Sequence, residues 1–271
     1  MNVVLARLFH VFFVFGVMLV LTMSQSAAAQ NSDRPTVGHQ QTVTLACNPF
    51  PPSKINSGAV LPGYDVEILR AAFATRNIEL ITPFYPWQRA YFLAKTGQVD
   101  GLCSCSYLIE REEHFLYSQL IGNVRVAFYA TNDSVLAPLE KIDDARNMTV
   151  GVVNGYNLEA AARKAGLDVM TVNSETILIN MLLSARLDMV LSYKAPMDSQ
   201  LHDAANKIRG LDTIRSKVIS NNPYYSCIAR KAKNAHALIN ELNTGLATIR
   251  ENGLFERIHA KYGILRNDMP N

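Results

Sequence analysis

FLAKTGQVDGLCS (residues 92–104) and LLSARLDMVLS (residues 182–192) share one order of parts: a helix end, a polar turn, an apolar residue, an Asp and an apolar strand. Short β-rich runs alternating with amphipathic helices indicate α/β architecture with mostly parallel sheets. The echo suggests two lobes on one plan, with Asp100 and Asp188 as turn or cap residues. Outward from the first stretch, the pattern predicts strands at 42–46, 78–81, 99–106 and 124–130, and helices at 64–75 and 86–95. Gly97 stops the second of these helices. Around the second stretch it predicts strands at 148–153, 169–172 and 189–192, and helices at 158–165 and 176–183. A strand at 226–230 then leads to a helix carrying the stripe Leu238, Leu242, Leu246 and Ile249, and to a last helix at 254–262.

Composition narrows the function. The 271 residues are 49% hydrophobic and 18% charged with a formal charge of +3, too apolar for disorder and too weakly basic for a nucleic-acid partner. The Lys and Arg residues form no block that could track a polyanion.

Residues 1–29 contain one basic residue, Arg7, then the apolar run LFHVFFVFGVMLVL and the small-residue site Ala27-Ala28-Ala29. This is the pattern of a cleaved secretory signal peptide. Export would place Cys47, Cys103, Cys105 and Cys227 in an oxidising space. Three pairings are open, and free buried thiols or a metal or redox site at Cys103-Ser104-Cys105 are alternatives. Two residues apart on a strand, Cys103 and Cys105 are expected on one face.

Catalytic signatures are absent: no G-x-S-x-G, no H-E-x-x-H, no phosphate-cradling Gly loop and no dinucleotide fingerprint. Aromatic and small polar residues instead gather where strands end, the place at which open α/β sheets bind ligands. Phe50 follows the first strand, Trp87 opens a helix, and Ser104, Ser106 and Arg111 follow the strand at 99–106. Tyr156 and Asn157 lie at a helix N-terminus, which suits an anion, and Tyr193 closes the strand at 189–192. Hydroxyls, one Arg and flat rings describe a pocket for a small polar or anionic molecule. Against this, Arg111 could pair with Glu112 or Glu113 at the surface, and Phe50 and Trp87 could be core residues.

The order of motifs adds a resemblance. F-P-P, G-Y-D-V-E-I-L-R-A-A-F, K-T-G-Q-V-D-G, E-R-E-E-H-F-L-Y-S, V-G-V-V-N-G-Y-N, L-D-M-V-L, P-Y-Y-S-C-I-A-R-K and R-E-N-G-L-F-E-R-I-H-A-K-Y-G occur in sequence. Together they resemble the family-3 periplasmic solute-binding proteins, and P-W-Q-R-A resembles an orphan-ligand subgroup of that family. The resemblance implies the two-lobed type II periplasmic-binding-protein fold, each lobe a mostly parallel sheet with flanking helices, joined by two hinge strands. The expected boundaries are 41–125 plus 228–265 for one lobe and 126–227 for the other.

The resemblance also implies roles. Arg111 matches the Arg that clamps an α-carboxylate, Ser104 and Ser106 the strand-end contacts, Phe50 and Trp87 the sandwiching rings, and Asn157 a second-lobe Thr. Leu108 stands where the family usually has Thr, and Tyr193 where it has the Asp that takes the ligand's ammonium. A buried ammonium without an anion is costly, so a carboxylate without the amine, or a flat ligand on Trp87 and Tyr193, fits better. The expectation is a periplasmic monomer with no cofactor and no metal, delivering an anionic or amino-acid-like ligand to an inner-membrane permease. The alternatives are a sensory domain or a cyclohexadienyl-type dehydratase on the same scaffold, with Glu110 or Glu159 as its acid.

Overall fold

The computed structural model describes residues 41–55, 60–205 and 207–264; the export segment expected at 1–29 lies outside them. Strands β1 (Gln41–Ala46), β2 (Ile78–Ile81) and β3 (Gly101–Ser106) alternate with helices α1 (Tyr64–Ala74) and α2 (Trp87–Thr96). The chain continues through the long strand β4 (Phe115–Ala130), a short helix α3 (Asp133–Leu136), β5 (Thr149–Val153), α4 (Asn157–Lys164), β6 (Asp168–Val172), α5 (Glu175–Leu183) and β7 (Met189–Tyr193). It then forms α6 (Lys194–Ala204), the second long strand β8 (Arg215–Ala229), α7 (Ala235–Glu251) and α8 (Leu254–Lys261). Strand order is β2-β1-β3-β8-β4-β7-β5-β6.

The short strands pair parallel: β1 with β2 and β3, and β5 with β6 and β7. Every antiparallel pairing between these strands involves β4 or β8. These two strands pair with each other along their length and carry the chain from one lobe into the other. On the first lobe, Val66, Leu69 and Phe73 of α1 and Leu238, Leu242, Leu246 and Ile249 of α7 close over Val43, Leu45, Leu80 and Ile228. On the second, β5, β7 and the outer half of β4 are covered on one face by Leu158 and Ala162 of α4 and on the other by Leu178, Ile179 and Leu182 of α5.

The predicted echo has a counterpart in hydrogen bonds. Asp100 Oδ2 accepts from the Thr44 N–H at 2.8 Å while its own N–H donates to the Thr44 carbonyl at 2.9 Å. Asp188 repeats the exchange with Thr149, at 2.7 and 3.0 Å. Each Asp therefore secures a neighbouring parallel strand, Asp100 at the middle of β1 and Asp188 at the start of β5. Gly97 ends α2 in the left-handed conformation (φ 80°), which glycine adopts without steric cost.

Three expectations need correction. The strands predicted at 124–130 and 226–230 are the ends of much longer ones, whose remaining halves are broken by polar residues and register shifts. Helix α6 was not foreseen; Pro196 interrupts its pattern but sits in the first turn, where no intrahelical N–H bond is lost. Cys103 and Cys105 do not share a face. A register shift between Leu102 and Cys105 puts Cys103 in the core under α1 and α7 and Cys105 in the core under α2. Each thiol thereby reaches a different neighbouring strand, giving disulfides Cys47–Cys103 and Cys105–Cys227 that involve all four cysteines.

Candidate functional site

Past the end of β1, Phe50 and Lys54 exchange backbone hydrogen bonds of 2.8 and 2.9 Å around a Pro51-Pro52 turn whose peptide is cis. The exchange sets the two side chains together, with the Lys54 ammonium 4.9 Å from the Phe50 ring centre. Lys54 is 4% exposed, and its ammonium donates to the Ser104 hydroxyl on β3. Burial pushes the ammonium down to about 8, against the opposing pull of Asp65.

Asp65, in the first turn of α1, is fully buried. Its Oδ1 accepts the Tyr224 hydroxyl at 2.7 Å, while Oδ2 has no hydrogen-bond partner among the described residues. Burial pushes its carboxyl up, and Lys54, Tyr224, Ser53 and His259 act in the other direction.

Arg111 ends the 3₁₀ turn Ile109–Arg111 that follows β3, and it is 9% exposed. Its Nη1 donates to the Ser106 carbonyl at 3.3 Å, and the guanidinium lies 5.3 Å from the Trp87 ring and 5.4 Å from Tyr91. Such stacking positions a guanidinium without consuming its donors. The surface pairing considered for Arg111 is not formed: Glu112 receives the Tyr107 hydroxyl, and Glu113 faces His114. Among the described residues, neither Lys54 nor Arg111 has a carboxylate in salt-bridge range.

From the second lobe, Tyr156 and Asn157 stand at the start of α4 and Tyr193 at the end of β7. The Tyr193 hydroxyl donates to Asn157 Oδ1. Burial pushes the phenol up, while Ser106, Arg111 and Asn157 counter it. The Tyr193 ring lies 5.4 Å from Phe50 and 5.2 Å from Tyr156, and the Tyr156 hydroxyl donates to Glu175 at 3.1 Å. The lobes touch again at Gly155 (φ 77°), where a Cβ would strike the Gln88 side chain of α2.

These groups surround one cavity of about 540 Å³, in the range of small-molecule sites. Phe50, Trp87, Ser104, Ser106, Arg111, Tyr156, Asn157 and Tyr193 all line it. Their grouping differs from the expected sandwich: Trp87 belongs with Arg111 and Tyr91, whereas Phe50 and Tyr193 meet edge to face. The helix start at Asn157 already has an acid, since Glu159 accepts the Gly155 N–H at 3.2 Å. Neither Glu110 nor Glu159, the acids considered for a dehydratase, lines the cavity.

Sequence reading missed Lys54, Asp65, Arg125, Lys194 and Asp198, which also line the cavity. Lys194 and Asp198 pair with each other at 2.6 Å. Lys54 had one usable signal: it stands four residues beyond Phe50, across a Pro-Pro turn that returns the chain. Asp65 sits inside the quoted G-Y-D-V-E motif but on a helix whose other inward residues are apolar.

The model of the bacterial extracellular solute-binding proteins, family 3, matches residues 43–264. The chain belongs to this family. This family-3 protein is 28% identical over 222 residues to the arginine-binding periplasmic protein of Mannheimia haemolytica, covering 79% of this chain and 87% of the relative. In structure it is similar to a histidine kinase sensor domain with similarity to periplasmic binding proteins (TM-score 0.73, 21% identity, 85% and 99% covered). It is also similar to an ancestral arginine-binding protein bound to arginine (TM-score 0.68, 18% identity, 82% and 99% covered). At these identities the two structures speak for the two-lobed fold alone.

Proposed function

We propose that this family-3 protein is a periplasmic receptor that closes its lobes on a small solute bearing a carboxylate and delivers it to an inner-membrane permease. The observation that carries the reading is Arg111: a buried guanidinium on the cavity wall, stacked on Trp87 and Tyr91, with one hydrogen bond, to the Ser106 carbonyl, and no carboxylate partner among the described residues. A planar fork held in this way suits bidentate capture of a carboxylate. The arginine-binding relative supports an amino-acid-like scale of ligand.

In this reading Ser104 and Ser106 line the anion site, Phe50 with Tyr156 and Tyr193 bounds the opposite wall, and Asn157 holds Tyr193 in place. The protein acts as a monomer and as a binder, without a cofactor and without catalysis. The lobes divide where β4 and β8 pass the cavity, at Asn123 and Val124 on one strand and Asn221 to Pro223 on the other, and these crossings act as the hinge. The likeness to a kinase sensor domain supports a second reading, in which the same closed state is read by a signalling protein.

Native mass spectrometry of the protein purified from the periplasm tests the site. A co-purified carboxylate, lost in Arg111→Ala, supports the reading. A neutral or cationic molecule retained by that variant would overturn it.

A further inference from the structure

We infer that the solute is a short dicarboxylate held at both ends, one carboxylate by Arg111 and the other by Lys54. The inference rests on the proposed solute site and narrows its ligand class.

Two buried cations share one wall of the cavity. Each is anchored to β3 at alternate residues: the Lys54 ammonium on the Ser104 hydroxyl, the Arg111 guanidinium on the Ser106 carbonyl. The two anchors are different residues of β3, with Cys105 between them.

Among the described residues, neither cation has a carboxylate in salt-bridge range. Lys54 has three donors and one hydrogen bond among the described residues, and Arg111 has five donors and one. Of the other charged groups of the cavity, Lys194 pairs with Asp198; Asp65 receives Tyr224 at Oδ1, keeps Oδ2 unpartnered among the described residues, and acts on Lys54 only from beyond salt-bridge range. Arg125 is exposed at the cavity wall and adds a further positive charge.

Burying a lysine with one neutral hydrogen bond is unfavourable unless something else arrives to meet it. A monocarboxylate on Arg111 would leave Lys54 unmet inside a closed cleft. A cationic amino acid would bring two further positive charges and only one carboxylate to the two cations already there. A dicarboxylate answers both cations at once.

The test is titration calorimetry with glutarate and with its monomethyl ester, on the wild type and on Lys54→Met. The expected result is that glutarate binds the wild type at least about 50-fold more tightly than the ester. On Lys54→Met, glutarate and its ester should bind with similar affinity, so that the preference for the diacid is lost. Equal affinity of the wild type for diacid and ester would overturn the dicarboxylate inference while leaving a carboxylate receptor intact, and this comparison needs no variant to fold. Tight binding of L-arginine with no response to either acid would overturn the dicarboxylate inference alone, whereas tight binding of agmatine, which has no carboxylate, with no response to either acid would overturn both readings.

Discussion

The Lys54 ammonium donates to the Ser104 hydroxyl from a site that is 4% exposed, so the loop after β1 delivers a cation to the strand that also anchors Arg111. Its titration gives a signature in the ligand-free protein. Lys54 is held near 8, below the ordinary lysine value of 10.5. In the window between these values the unfolded chain binds more protons than the folded one, so stability rises with pH. Asp65 is the charged group that acts on Lys54, Tyr224 and His259 act in turn on Asp65, and Asp65 and Arg125 act on Tyr64. The difference between wild type and Lys54→Met cancels their contributions to first order. Urea unfolding from pH 8 to 9.5 is expected to show wild type gaining on the order of 1 kcal/mol over the variant. A difference independent of pH would mean that Lys54 titrates normally.

Truncating Arg111 separates binding from folding. Arg111→Ala is expected to weaken solute binding by more than about 2 kcal/mol, since it removes one partner of a buried charge pair. Circular dichroism and the urea midpoint should stay near those of the wild type, because the guanidinium makes one long hydrogen bond at 3.3 Å. Arg111→Lys should recover only part of the loss, lacking the planar fork that stacks on Trp87. Unchanged affinity in Arg111→Ala would put the binding site elsewhere.

The paired Asp positions give a prediction about the fold. Asp100→Ala and Asp188→Ala each remove one charge-assisted bond to a backbone N–H of a neighbouring parallel strand. Each is expected to cost about 1–2 kcal/mol in urea unfolding, with solute affinity retained. A loss confined to one variant would show that the resemblance between the two stretches is not a shared device.

That resemblance was legible in sequence because it uses local signals: a helix period, a turn and an Asp. The short strands, α1, α2 and α4, and the Gly97 stop follow from the same kinds of signal. What escaped lies where tertiary structure overrides pattern. The strand halves around Ser118-Gln119 and Ser220-Asn221-Asn222 carry polar residues and register shifts that interrupt the alternation by which a strand is recognised. The bulge in β3 separates two cysteines that simple alternation would put together. Lys54 escaped because a loop has no periodicity, and its burial depends on β3 and α1, which are distant in sequence.

The disulfides close loops of 56 and 122 residues. Loop-closure entropy assigns each roughly 4 to 5 kcal/mol of stabilisation. Reduction, or the double substitution Cys105→Ser with Cys227→Ser, is therefore expected to lower the urea midpoint strongly. Because both bridges hold β3, binding should weaken along with stability. A reduced protein with full affinity would show that the serines need no such support.

Trp87 is the protein's single tryptophan, and it stands half-buried on the cavity wall beneath the Arg111 guanidinium. All indole fluorescence therefore originates at the place a guest would occupy. Any molecule that draws the guanidinium away from the ring, or shields it from water, changes the emission of one fluorophore with no background from a second. The protein carries its own optical reporter, and screening for its solute requires neither a label nor a coupled assay.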